Sequence, residues 1–150
     1  MIPKRSDEYL MREALKEAQK AFDINEVPIG AIIVSNNRII ARAHNLTERL
    51  NDVTAHAEMQ AFTSAAEFLG GKYLHNCTLY VTIEPCVMCT GASYWAQLDK
   101  IVYGAKDPKR GISNLNIKLF HPKTKIIFGV LKKECEDLMK IFFNSKRKQN

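Results

Sequence analysis

The chain has 150 residues, 46% of them apolar and 25% charged, which is the size and balance of one ordinary globular domain spanning residues 1–150. No apolar run approaches the ~20 residues that a membrane-spanning helix requires, and no membrane partner is expected. The opening stretch MIPKRSDEYLMREALKEAQKAF carries charges at helical spacing where a signal peptide would carry an apolar segment, and a cytoplasmic location is expected. In that reducing compartment the four cysteines read as metal ligands or buried thiols rather than disulfides.

Charge is uneven along the chain. Residues 1–99 hold 9 Lys/Arg against 12 Asp/Glu, and residues 100–150 hold 13 against 4, within an overall net charge of +6. The basic excess ends in Lys140 and Lys146-Arg147-Lys148. Such a run is either a solvated helix end or a footprint for phosphates.

In chain order, residues 6–22 predict an amphipathic helix. Ser6 is its N-cap, Asp7 and Glu8 occupy the first turn, and Leu10, Ala14, Ala18 and Phe22 recur near the helical period. Val27-Pro28-Ile29-Gly30 ends it. AIIV (31–34) and RIIARAH (38–44) predict two strands, and Asn36-Asn37 between them suits the left-handed turn of a hairpin. Asn51–Thr54 leads into a helix over about 55–69, stopped by Gly70-Gly71. CTLYVTI (77–83) predicts a strand buried on both faces. Pro85 ends that strand and opens a helix over about 86–97. KIVYGA (100–105) and KIIFGV (125–130) predict two more strands, and 131–144 a closing helix. After the first helix the expected order is β-β-α-β-α-β-α-β-α, which counts a helix between the last two strands. It predicts an α/β fold, a three-layer α/β/α sandwich around a five-stranded mixed sheet.

Two segments carry chemistry: His56-Ala57-Glu58 and Pro85-Cys86-Val87-Met88-Cys89. A Cys-x-x-Cys that opens a helix places two sulfurs on one face, and the helix N-terminus favours both as thiolates. His56, expected in the first turn of its own helix, supplies a third donor. Three protein donors leave one corner of a tetrahedral zinc for water, the pattern of a catalytic rather than a structural site. Cys77 and Cys135 are expected in the core, and His44, His75 and His121 have no ligand-type partner at useful spacing. Zn²⁺ with two thiolates and a neutral imidazole carries no net charge and acidifies its water only weakly. A nearby base is therefore needed, and Glu58 is the candidate proton shuttle. The full H-x-E…P-C-x-x-C arrangement, with residues 59–84 between its halves, matches the signature of zinc nucleobase deaminases.

At this point the chain resembles the bacterial tRNA-specific adenosine deaminases. The resemblance runs through EVPIGAIIV (26–34), ARAHN (41–45), DVTAHAEMQA (52–61), TLYVTIEPCVMCTGA (78–92), KIVYGAKD (100–107) and FFNSKRK (142–148). It implies a homodimer of cytidine-deaminase-like subunits that converts the wobble adenosine of a tRNA anticodon loop to inosine. It maps the zinc ligands onto His56, Cys86 and Cys89 and the shuttle onto Glu58. It also implies substrate contacts at Asn45, Val27, Pro28, Ala57 and Asp107, and RNA contacts at Phe143, Lys146 and Arg147. Each has a plainer reading. Asn45 and Asp107-Pro108 are ordinary turn formers, Val27-Pro28 is helix-to-strand punctuation, Glu26 is a charged loop residue, and Phe142-Phe143 is core.

Two departures stand out. The 109–122 connection lacks the serine- and glycine-rich stretch common in that family, and Tyr94-Trp95-Ala96 resembles purine-base deaminases such as guanine deaminase. The alternative is thus a deaminase of a free purine base or nucleoside. A catalytically silent zinc-stabilised subunit is a third reading, and the presence of Glu58 counts against it.

Overall fold

The computed structural model describes residues 3–148. Helix α1 (Asp7–Asp23) leads into strands β1 (Gly30–Ser35) and β2 (Arg38–His44). These are followed by α2 (Ala57–Leu69), β3 (Cys77–Ile83), α3 (Val87–Ala96), β4 (Lys100–Ala105), β5 (Lys125–Phe128) and α4 (Lys132–Lys148). The predicted helix in the 106–124 connection is absent. Only a single 3₁₀ turn, Ile112–Asn114, forms there. Pro108, Gly111 and Pro122, with β-branched and Asn residues between them, give this stretch little helical propensity.

Local signals account for the remaining boundaries. Ser6 Oγ accepts a hydrogen bond from the Tyr9 amide at 3.0 Å, capping α1. Asn36 and Asn37 both take positive φ, 50° and 63°, closing the β1–β2 hairpin as expected. Gly70, at φ 75°, terminates α2. β5 stops at Phe128, two residues early, because Gly129 turns to φ 97°. α4 runs four residues past its predicted end, so Lys146, Arg147 and Lys148 lie on its last turn, where cations offset the dipole.

The five strands form one mixed sheet in the order β2-β1-β3-β4-β5. β1 is antiparallel to both neighbours, while β3, β4 and β5 are parallel. α2 and α3 cover one face over Ile33, Leu79, Val81 and Ile101, and α1 and α4 cover the other over Ile32, Tyr80 and Val102. Cys77 and Cys135 are buried in these two cores, as their sequence context implied.

Strand direction then decides where a site can lie. β2, β3 and β4 all finish at the same edge, and β1 begins there. Asn45, Cys86 and Asp107 follow the three strand ends, and Val27-Pro28 precede β1. This is the edge at which α/β sheets collect ligands. α1 lies so close to β1 that a Cβ on Gly30 would collide with the backbone of Ala14 and Ala18. Gly30→Ala is expected to destabilise the fold by about 1–3 kcal/mol in chemical denaturation. An unchanged midpoint would contradict this packing.

Candidate metal centre

His56 and Cys86 are the N-cap residues of α2 and α3, one position before the first turns expected for them. An N-cap side chain ordinarily accepts a hydrogen bond from its own helix. Neither of these does. They point at each other instead: His56 Nδ1 lies 3.7 Å from Cys86 Sγ and 3.5 Å from Cys89 Sγ. The donor atoms of all three residues lie within 4.8 Å of one another.

One imidazole nitrogen has a single proton or a single lone pair, so hydrogen bonding alone satisfies at most one of the two sulfur contacts. A tetrahedral ion bound at normal zinc–sulfur and zinc–nitrogen lengths separates such donors by about 3.6 Å, which is the spacing seen. The residues therefore fit a metal ion. All four cysteines are free thiols, so no disulfide competes for the site.

The two thiols, joined by a hydrogen bond, shift in opposite directions. Cys86 is pushed down to about 4, chiefly by the hydrogen bond from Cys89, with His56 adding to the effect. Cys89 is pushed well up by that same bond and by burial. Adjacent thiolates repel, so the pair shares one proton until a cation replaces it.

Glu58, in the first turn of α2, is 4% exposed. Burial pushes its carboxyl up to about 7. A carboxyl beside the donor set that exchanges its proton near neutrality suits acid–base work.

The other sequence candidates are placed as follows. Asn45 is buried, and its amide nitrogen lies 3.4 Å from both Glu26 Oε1 and Thr47 Oγ1. Ala57 is wholly buried in the core, which leaves its main chain as its means of meeting a ligand. Pro28 is buried and Val27 half-buried. Asp107 is half-buried; its Oδ1 accepts from the amides of Lys109 and Arg110, both at 3.0 Å, so the turn-forming role is present. Phe142 is buried against Phe22, whereas Phe143 is 41% exposed.

Val27, Phe143 and Lys146 line one cleft of about 810 Å³ with Glu26, Thr47 and Arg49. None of the three donor residues lines it, and neither does Arg147, which is exposed. His44 pairs with Glu17, His75 with Gln97, and His121 packs on Tyr94, away from the donor set.

Two residues were missed. Glu26, read as a charged loop residue, is 1% exposed and accepts from the amides of Glu48 and Arg49 at 3.1 and 2.7 Å. Glu84 is 4% exposed and accepts from the amides of Asp107 and Ser113 at 3.2 and 2.7 Å. A Cβ on Gly111 would strike the Glu84 carboxyl, so the loop closes tightly on it. The only sequence signal was position, since each carboxylate directly abuts a predicted site segment.

This sheet, with a His/Cys/Cys donor set at its strand ends, defines a deaminase domain, and the family model described as MafB19-like deaminase matches residues 5–147. A tRNA-specific adenosine deaminase of Bacillus subtilis is 46% identical over 148 residues, covering 95% of this chain and 92% of that protein. The solved structure of a tRNA:A34 deaminase studied for A-to-I editing superposes with a TM-score of 0.81 at 40% identity, covering 87% of this chain and 98% of that one. A Bacillus subtilis guanine deaminase superposes with a TM-score of 0.65 at 38% identity, over 68% of this chain and 66% of that one. The chain belongs to the tRNA-specific adenosine deaminase family.

Removing one donor tests the centre. His56→Ala and Cys86→Ala are each expected to lower bound metal from about one ion per chain to a small fraction, by elemental mass spectrometry. Cys77→Ala should leave metal content unchanged. Full metal retention in both donor variants would contradict the assignment.

Proposed function

We propose that the protein hydrolyses the 6-amino group of adenosine at the wobble position of a tRNA anticodon loop, giving inosine and ammonia. The observation that carries this reading is the His56/Cys86/Cys89 donor set beside buried Glu58, in a chain 46% identical to a tRNA-specific adenosine deaminase along nearly its whole length. His56, Cys86 and Cys89 would hold the metal, and their two sulfurs and one nitrogen suit Zn²⁺. Bound there, it would supply a Lewis acid that polarises the attacking water and leaves the removal of its proton to a base.

Glu58 takes one proton from the attacking water and delivers it to N1 of the purine, then takes the second from the hydroxyl at C6 and passes it to the departing amine, so that the carbonyl forms as ammonia leaves. A purine stacked in a loop cannot approach the buried Glu58, so the base leaves the stack first, which an unpaired loop makes inexpensive. Asn45 holds the ring. Val27, Pro28, the main chain of Ala57, and Asp107 complete its surroundings.

α4 supplies the grip on RNA. Phe143 offers a half-open aromatic face in the 810 Å³ cleft, Lys146 lines that cleft, and Arg147 stands exposed one residue on. An exposed ring beside cations suits a splayed base and its phosphates. This feature favours RNA over the free-purine reading that the guanine deaminase likeness supports.

The active form is a homodimer. Large apolar side chains left exposed around the donor helices support it: Val53 at 85%, Leu50 at 57%, Trp95 at 75% and Val87 at 50%. Among the described residues no helix is long and apolar enough to cross a membrane, and a tRNA substrate suits the cytoplasm.

An anticodon stem-loop with adenosine at the wobble position, assayed for inosine beside free guanine and adenosine, tests the reading. Product from the stem-loop alone is expected, and product from free guanine alone would overturn it. Glu58→Gln is expected to lose about 10²–10⁴ in single-turnover rate with metal retained. Lys146→Ala with Arg147→Ala should weaken stem-loop binding and flatten its logarithmic salt dependence by about 1–2. An unchanged salt slope would remove α4 from the interface.

A further inference from the structure

Glu26 has a place in the reaction that its loop position concealed. We infer that Glu26 is a positioning residue: it acts through Asn45, fixing that amide and the 45–49 loop beside the metal centre, and thereby sets the orientation of the base. The inference rests on the reading in which Asn45 holds the purine ring.

The side chain is 1% exposed, and both its oxygens receive N–H donors. Oε2 accepts from the Arg49 amide at 2.7 Å, and Oε1 from the Glu48 amide at 3.1 Å. Oε1 also meets the Asn45 amide nitrogen at 3.4 Å. An acceptor facing Asn45 decides which end of that amide is nitrogen and which is oxygen, a choice the Asn side chain cannot make alone. Thr47 Oγ1, also 3.4 Å from that nitrogen, reinforces it.

Glu26 is itself anchored. Its amide donates to the Ala21 carbonyl at the end of α1, at 2.9 Å. Asn45 is tied to the start of β1 by its own amide, which donates to Ile29 at 3.1 Å. The loop between is closed by Leu46 on Ala55 at 3.0 Å, one residue before the metal-donor His56. Backbone bonds thus tie α1, the start of β1 and the approach to His56 to the two segments, Glu26 and Asn45-Leu46, that this carboxyl group joins. A residue placed in this way controls geometry at the reacting base while contributing no phosphate contact. Its removal should appear in kcat, where alignment matters, rather than in RNA affinity.

A double-mutant cycle on the full-length metal-loaded enzyme tests the inference. Glu26→Gln preserves shape but replaces one acceptor oxygen with a donor. It is expected to lower kcat on the stem-loop by about 10–100-fold, with KM within about threefold and metal content unchanged. In an Asn45→Ala background the same change should cost less than about twofold further, because its route of action is already gone. Glu26→Asp keeps the acceptor chemistry and should recover part of the lost kcat; it also serves should the Gln variant not fold. A kcat for Glu26→Gln within about twofold of wild type overturns the inference, as does a full loss in the Asn45→Ala background. Wild-type activity separates this from the substrate question. If wild type makes no inosine from the stem-loop, the RNA reading fails, and the same cycle is read on whichever free purine or nucleoside wild type converts.

Discussion

The site depends on two helix N-termini meeting over one edge of the sheet. His56 and Cys86 stand at N-cap positions, yet neither caps its helix. Both turn inward, to 3.7 Å from each other, and Cys89 joins them one turn later. A bare pair of helix ends concentrates partial positive charge, which favours thiolates. A cation among them would be held by negative sulfur as well as by geometry. The same convergence brings Glu58 beside the donors and out of water, where burial raises its proton affinity toward neutrality.

Around this centre, buried carboxylates do the positioning that regular structure does elsewhere. Loops at a strand edge carry backbone amides with no ladder to join, and each needs an acceptor. Glu26 supplies acceptors for the 45–49 loop and Glu84 for the 107–113 loop, each through backbone amides at 2.7 to 3.2 Å. Glu84 immediately precedes Pro85-Cys86, so the Asp107 loop is tied to the metal helix. Glu84 thus ties the 107–113 loop to the segment that opens α3, and Glu26 ties the 45–49 loop to the link between α1 and β1.

Much of this was legible because the strongest signals are local. β-branched runs such as CTLYVTI and KIVYGA became β3 and β4 with their predicted ends, and paired asparagines marked the hairpin. The H-x-E…P-C-x-x-C spacing brought its three donors together in space. What was not legible is long-range. The expected element order counted a helix between the last two strands, which prove to be parallel and whose connection has none. Pro108, Gly111 and Pro122 prevailed. Glu26 read as a charged loop residue and Glu84 drew no reading of its own, because their partners are main-chain amides some twenty to thirty residues away, which no side-chain pattern records.

The central claim is that three protein donors hold one metal and leave a corner open beside Glu58. X-ray absorption at the zinc edge of the purified protein reads that arrangement directly. The account predicts two sulfurs at about 2.3 Å and one imidazole nitrogen with one oxygen at about 2.0–2.1 Å. A shell closed by a fourth protein sulfur or a second imidazole, or a protein that binds no zinc, would contradict it.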